Sequence, residues 1–314
     1  MSKPEKPPIV CIMGPTASGK TDLAITLSKK YPMDIISVDS AMVYKGMDIG
    51  TAKPDAQTLA HAPHRLVDFL DPAEAYSAAQ FCADALREMQ QITEQGRIPL
   101  LVGGTMLYFK ALLYGLSDMP SADEATREKL VAETQTLGLA AMHARLAEVD
   151  PESAARIHPN DPQRIQRALE VYELTGISLT AWQAKPVDPL PYEPIQIALV
   201  PSDRSWLHRR IELRFKMMLK QGLVEEVKTL FQRKDLDENK PAIRAVGYRQ
   251  VWQHLAGQLD YDDMQERGII ATRQLAKRQL TWLRSMPDLK NFDCINSNLE
   301  DEVLNFLERG HITE

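Results

Sequence analysis

The chain has 314 residues, 44% hydrophobic and 25% charged, the composition of a soluble globular protein with enough apolar material for a full core and a second lobe. Its formal charge of -6 excludes a uniformly basic nucleic-acid binder, so any such contact must come from local basic surfaces. The first apolar run stops at Gly14, which argues against a leader peptide or membrane span and for a cytoplasmic protein; Cys11, Cys82 and Cys294 are too far apart for a CxxC zinc site or a disulfide framework and are expected to be buried thiols.

In chain order, an apolar run at residues 9–13 leads into Gly14, and a helical pattern follows over residues 21–29. Between them lie Gly14, Pro15, Thr16, Ala17, Ser18, Gly19, Lys20 and Thr21, which match G-x-x-x-x-G-K-[ST] in the strand-loop-helix context that the motif requires. Glycines let successive N–H groups turn inward around phosphate oxygens at a positive helix end. Lys20 adds a cation, and the Thr21 hydroxyl suits magnesium. The loop specifies a polyphosphate without saying which.

Residues 35–38 form a second apolar run ending in Asp39 and Ser40, and residues 66–69 read as a third strand. Ser77 with Gln80 forms a capping box that opens a long helix, Gly96 closes it, and residues 98–102 are the next strand. Strands alternating with helices predict a doubly wound parallel sheet. The strand at 98–102 ends in Gly103, Gly104 and Thr105 rather than the aspartate of a phosphate-hydrolysing protein, and two glycines there are expected to let a substrate approach the backbone.

From about residue 121 to 185 helices follow one another without strands, and Pro186, Pro189, Pro191 and Pro194 then make a stiff return linker. Asp161 and Pro162 read as N-cap and first helical residue, with Arg164 and Arg167 one turn apart; Tyr172 and Trp182 offer stacking faces, although burial is the commoner fate of each. Residues 195–200 resume a buried strand before a helical C-terminal third. The fold class is therefore α/β, a nucleotide-kinase-like P-loop sheet flanked by helices. It divides into a core at 1–120, an inserted all-helical lobe at 121–190 and the rest of the core at 191–314.

Three further features carry chemistry. Asp39, at the end of a strand parallel to the first, projects at the edge that holds the P-loop, where it can act as a base, organise magnesium or cap a turn. Arg214 falls in the apolar stripe of Leu207, Ile211 and Met218, so an anion must meet it, either a structural glutamate or a bound diphosphate. Arg273, Lys277 and Arg284 share a narrow helix face. Residues 204–220 carry Arg204, Arg209, Arg210, Arg214, Lys216 and Lys220 against Glu212, and residues 240–250 carry Lys240, Arg244 and Arg249. A single such stripe is usually a solvated face; several in an acidic chain suggest a polarised surface.

The stretches GPTASGKT, DSAMVYKGMDIGTAKP, PHRLVD, LLVGGTMLY, HPNDPQRIQRALEVYELTG, RAVGYRQVW and TRQLAKRQLTWLR, in that order, resemble the motifs of the bacterial tRNA dimethylallyltransferases, the tRNA isopentenyltransferase family. The resemblance covers nearly the whole chain up to about Leu289. It implies transfer of a dimethylallyl group from dimethylallyl diphosphate to the exocyclic amine of the adenosine 3′ of the anticodon, tRNA position 37. The P-loop would hold the diphosphate with Mg2+ at Thr21, Lys20 and Arg214 would stabilise the leaving group, and Asp39 would be the base. Asp39, Ser40, Ala41 and Met42 would line the reaction channel, with Met42 where many members carry glutamine, and Thr105 would stand at its mouth. Contacts with tRNA would come from Arg127; from Gln163, Arg164, Ile165, Gln166 and Arg167; from Arg244, Ala245, Val246, Gly247, Tyr248 and Arg249; and from Lys277, Arg278, Gln279, Leu280, Thr281, Trp282, Leu283 and Arg284. The partners implied are the tRNA anticodon stem-loop and the prenyl donor, with no membrane, and a monomer is expected.

Two other readings share the loop. An adenylate isopentenyltransferase would act on free AMP or ADP, but the helical lobe and the basic segments favour a macromolecular acceptor. A small-molecule P-loop kinase would consume ATP and need no prenyl donor. A non-catalytic RNA binder needs neither the P-loop nor Asp39.

Overall fold

A computed structural model describes residues 6–117 and 119–309. The chain forms two compact units, one from the chain up to Leu113 with the chain from Pro191 onward, the other Tyr114–Leu190. The first unit begins β1 (Pro8–Met13), α1 (Lys20–Lys30), β2 (Met33–Val38), α2 (Ala56–His61), β3 (His64–Arg65), α3 (Ala78–Glu94), β4 (Ile98–Gly103) and α4 (Met106–Tyr114). The second unit holds α5 (Glu124–Leu137), α6 (Leu139–Val149), α7 (Pro151–Arg156), α8 (Pro162–Thr175) and α9 (Leu179–Gln183). The first resumes with β5 (Glu193–Val200), α10 (Arg204–Lys220), α11 (Leu223–Phe231), α12 (Tyr248–Leu255), α13 (Tyr261–Leu283), β6 (Lys290–Asp293) and α14 (Leu299–Glu308).

The six strands form one parallel sheet in the order β3-β2-β4-β1-β5-β6. Val10, Ile12, Leu100, Ile197 and Leu199 pack with Leu23 and Leu27 of α1 and Val303 and Leu307 of α14. The alternate residues Ile9, Cys11, Met13, Ile36 and Leu101 are equally buried, and α3 packs on β2 and β4 through Phe81, Ala85, Met89 and Ile92. Both faces are thus covered, which is why the strands read as continuous apolar runs. No described helix is long and apolar enough to cross a membrane.

Register positions the site. Gly103 pairs with Met13 on one side and with Val38 on the other, so Gly14, Asp39 and Gly104 leave their strands at one level of the carboxyl edge, where ligands of such sheets bind.

Two strands differ from the sequence reading. Residues 66–69 do not pair: only His64 and Arg65 join β2, and the chain then leaves the sheet through Leu66 and Asp68, both with φ of 60°, outside the β region. A sixth strand, β6, was not anticipated because KNFD carries one apolar side chain; its pairing with residues 197–200 of β5 makes it a strand. All three cysteines are free, but only Cys11 is buried, while Cys82 and Cys294 are partly exposed.

The second unit has its own core of Leu130, Met142, Leu146, Ala154, Ile157, Ile165, Ala168 and Leu169. Asp123, Asp150, Asp161 and Ser178 each cap a helix with a side-chain acceptor, Pro162 following Asp161 at the first helical turn.

Candidate active site

At the carboxyl edge of the sheet the first unit encloses a cavity of about 710 Å3, lined by Thr16 to Thr21, Asp39 to Met42, Gly103 to Thr105, Arg210, Arg214, residues 244–248, Arg278, Gln279 and Trp282. The P-loop supplies one wall. Gly19, with φ 89°, starts α1 without any side-chain cap, so the first amides of the helix are left for an anion. Ala17 adopts φ 65°, and its carbonyl accepts a hydrogen bond of 2.9 Å from Nε of Arg210. Among the described residues the buried Ser18 hydroxyl has no partner, an orphan that a phosphate oxygen would satisfy. Gly14 and Pro15 are buried behind this wall, with the Pro15 carbonyl accepting from Nζ of Lys20 at 2.7 Å.

Cations face this wall without carboxylate partners among the described residues. Burial, followed by repulsion from Arg214, lowers the Lys20 pKa to about 7, with Asp39 opposing the shift. Burial also lowers Arg214 below the ordinary guanidinium range, Asp39 again opposing. No glutamate or aspartate makes an ion pair with Arg214 among the described residues, so the structural glutamate weighed in its favour is not there. Arg210, one turn before Arg214, reaches the same cavity while stacking on Trp206 at 4.8 Å; the four-residue spacing on one face was the signal available in sequence.

Opposite, Asp39 is held by its own loop. Oδ1 accepts from the amides of Ala41 at 2.8 Å and Met42 at 3.2 Å, which leaves Oδ2 open toward the cavity. The Ser40 amide donates to the Thr105 hydroxyl at 3.1 Å, and the Thr105 amide donates to the Val38 carbonyl at 3.2 Å.

Gly103, the last residue of β4, and Gly104 after it line the cavity and also serve the protein itself. A Cβ on Gly103 would lie 2.0 Å from the Val38 carbonyl oxygen, and one on Gly104 would lie 2.3 Å from Nε2 of Gln279. They allow backbone and side chain to close on each other.

The stretches expected to meet RNA divide by burial. Ile165 and Leu283 are core residues, and Leu280 packs against the apolar cluster of Ala17, Leu207, Ile211 and Ala276, so these three side chains are turned into the protein. Tyr248 is fully buried with its hydroxyl donating to Glu226; burial and that carboxylate push its pKa far up. Gln279, 8% exposed, bonds to the P-loop and to Gly104 rather than facing solvent. Arg244, Arg249, Lys277, Arg278, Thr281 and Arg284 are exposed, with Trp282 partly so, while Arg273 is drawn to Glu212 at 3.0 Å. Lys277, Leu280 and Arg284 also line a smaller cavity of about 280 Å3 between α10 and α13.

Within the second unit, Glu170 is fully buried and accepts from Nε of Arg127 at 2.9 Å, Nη1 of Arg167 at 2.8 Å and the Asp123 amide at 3.0 Å. Burial alone would raise its pKa; these bonds outweigh it, and the carboxyl is held below the usual range. Gln163 and Arg164 are exposed, and Gln166 donates to the Arg127 carbonyl at 3.3 Å. The Trp182 ring is covered by Lys185, whose Nζ is 3.2 Å from its centroid, so that face does not offer the stacking surface read from sequence.

Sequence reasoning also missed the braces behind the cavity. Glu226 accepts from the amides of Asp48, Ile49 and Gly50, and the nearly buried Lys53 joins the Tyr44 carbonyl to Asp48 and Asp68.

Fold and site together define a P-loop protein in which a polyphosphate cradle, with its cations unpaired, faces a carboxylate across one cavity. The family model described as IPP transferase matches residues 42–286, and that described as isopentenyl transferase matches residues 7–71. The chain is 60% identical over 291 residues, 92% of its length and 91% of the relative's, to the tRNA dimethylallyltransferase of Thioalkalivibrio sulfidiphilus. It superposes on the crystal structure of the full-length tRNA isopentenylpyrophosphate transferase of Bacillus halodurans with a TM-score of 0.71 at 37% identity, covering 96% of each chain. For a eukaryotic dimethylallyltransferase acting on tRNA the TM-score is 0.81 at 25% identity, over 98% of this chain and 81% of that one. The chain belongs to the IPP transferase family.

Proposed function

We propose that this protein transfers a dimethylallyl group from dimethylallyl diphosphate to the exocyclic amine of the adenosine 3′ of the anticodon in tRNA, releasing diphosphate. The observation that carries this reading is the pairing of unneutralised cations, Lys20, Arg210 and Arg214, with the open Oδ2 of Asp39 in a single cavity. The donor's C–O bond breaks as the N–C bond forms. Negative charge grows on the diphosphate, where the loop amides and the three cations stabilise it. The amine proton passes to Oδ2 of Asp39, whose other oxygen stays anchored to the Ala41 and Met42 amides.

Magnesium fits as a donor-borne ion. No cluster of three or more metal-ligating side chains occurs among the described residues, and Mg2+ characteristically takes one or two protein oxygens with substrate phosphates and water. Thr21 would supply the hydroxyl. When bound, the ion neutralises charge on the leaving diphosphate.

The amine of a stacked adenine is out of reach, so the base must leave its stack to enter the cavity. Arg127, Arg164 and Arg167 of the lobe, with Arg244, Arg249, Lys277, Arg278 and Arg284 of the core, supply exposed or partly exposed cations for the tRNA backbone. They answer how a chain of net charge -6 binds RNA.

The test is transfer of labelled dimethylallyl from its diphosphate to unmodified tRNA with Mg2+, beside tubes offering AMP or ATP. Label in tRNA, lost by a factor of about 10²–10⁴ in Asp39→Asn, is the expected result. Asparagine is chosen because its Oδ1 still accepts the two loop amides. Label in free nucleotide alone, or ATP consumption without prenyl transfer, would overturn the reading.

A further inference from the structure

We propose that Gln279 is a positioning residue that fixes the separation between the donor cradle and the base-bearing edge, acting through the backbone of two loops rather than on tRNA. The inference rests on the function proposed above.

Gln279 lies on α13 between the exposed Arg278 and the partly buried Leu280, yet is itself 8% exposed. A buried primary amide needs both ends satisfied. Oε1 accepts from the Thr16 amide at 2.9 Å, and Nε2 donates to the Gly104 carbonyl at 2.9 Å. Turning the amide over would set carbonyl against carbonyl and N–H against N–H, so the network admits one orientation.

Each bond acts on one half of the reaction. The Thr16 bond occupies an early P-loop amide, which leaves phosphate binding to the amides nearer the start of α1 and fixes that end of the cradle. The Gly104 bond holds the segment whose next residue, Thr105, donates to the Val38 carbonyl and accepts from the Ser40 amide. Asp39 lies between those two residues. A single side chain therefore ties the leaving-group side to the proton-acceptor side, and Gly104 must lack a Cβ because that atom would meet Nε2 at 2.3 Å. The transfer needs amine, allylic carbon and carboxylate aligned within a few tenths of an ångström, and a misplacement of about 1 Å costs on the order of 100-fold.

The experiment uses the full-length Gln279→Glu and Gln279→Met variants in single-turnover transfer at saturating donor and tRNA, with tRNA affinity measured separately. Glutamic acid has the shape of glutamine. Protonated, its O–H donates to the Gly104 carbonyl; ionised, it presents a second acceptor there. The rate of Gln279→Glu relative to wild type at the same pH is expected to fall about 10- to 100-fold from about pH 6 to pH 9. The Gln279→Met ratio is expected to be low and flat across that range, with tRNA affinity unchanged in both. A flat ratio for Gln279→Glu, or lost tRNA affinity with an unchanged saturated rate, would overturn the proposal, the second outcome making Gln279 an RNA contact. Transfer by the wild-type chain in the same assay checks the functional reading, so the two fail separately.

Discussion

Arg214 on α10 lies close enough to Lys20 of the P-loop to depress the lysine's pKa, and among the described residues no carboxylate forms an ion pair with either. Two cations held together in a partly desolvated place store an attraction for an anion. Their arrangement explains why an apolar helix stripe carries an arginine.

With a pKa of about 7 in the free protein, Lys20 is mostly neutral at pH 8. A diphosphate favours the charged form and raises that pKa, so binding takes up a proton. Donor affinity contributed by Lys20 is complete below about pH 7 and weakens by up to about tenfold per pH unit above it. Calorimetry at pH 8 in buffers of different ionisation enthalpy should find uptake approaching one proton, and none attributable to this group in Lys20→Met.

Arg214→Gln and Arg210→Gln should separate two roles. Losing the more deeply set Arg214 is expected to lower the saturated transfer rate about 10²- to 10³-fold, as for other groups aimed at developing charge. Arg210→Gln, which frees the Ala17 carbonyl as well, should raise the KM for donor more than it lowers kcat. Steady-state kinetics with varied dimethylallyl diphosphate would measure the split.

Glu170 sets two of the arginines assigned to tRNA, both only partly buried. Glu170→Gln keeps the volume but removes the charge that orients Arg127 and Arg167, and is expected to weaken tRNA binding by about tenfold, equivalent to about 1.4 kcal/mol. Donor KM should not change. Because the folded carboxyl is held below its usual range, its stabilisation is present above that range and lost as pH falls through the folded pKa. The wild type, unlike Glu170→Gln, should therefore lose this increment in acid melts.

Gly103→Ala places a methyl group 2.0 Å from the Val38 carbonyl oxygen, where strand backbone rather than a flexible side chain must move. A loss of at least about 1–3 kcal/mol in urea unfolding is expected. Gly103 pairs with the residue before Asp39, so transfer should fall further than stability accounts for. Melting and single-turnover rates on the same preparation would test both.

Legibility in the sequence followed the range of the interaction. The P-loop, the Ser77 capping box, the Asp161 cap with Pro162 and the long strands could be read because the residues that make them lie within a few positions of one another or alternate regularly. Asp39 and Arg214 could be singled out, the first by its place after an apolar strand, the second by its conflict with an apolar stripe. The short strands β3 and β6 could not, since two and four mostly polar residues have no pattern of their own and become strands only through a neighbour's hydrogen bonds. Within the stretches assigned to RNA, which side chains face outward could not be read from the sequence.

The sequence by itself determined the strand-loop-helix cradle, the carboxylate at the next strand end and the alternation that makes a parallel sheet, all from local propensity, spacing and hydrophobic period. Only the tertiary structure decided that Gly14, Asp39 and Gly104 stand level, that Gln279 reaches Thr16 across 263 positions of chain and that Glu226 holds a loop 176 to 178 positions away. Those contacts join polar groups whose partners carry no shared period. They form because a buried donor or acceptor must be satisfied, and strand register and helix packing settle which one is near enough.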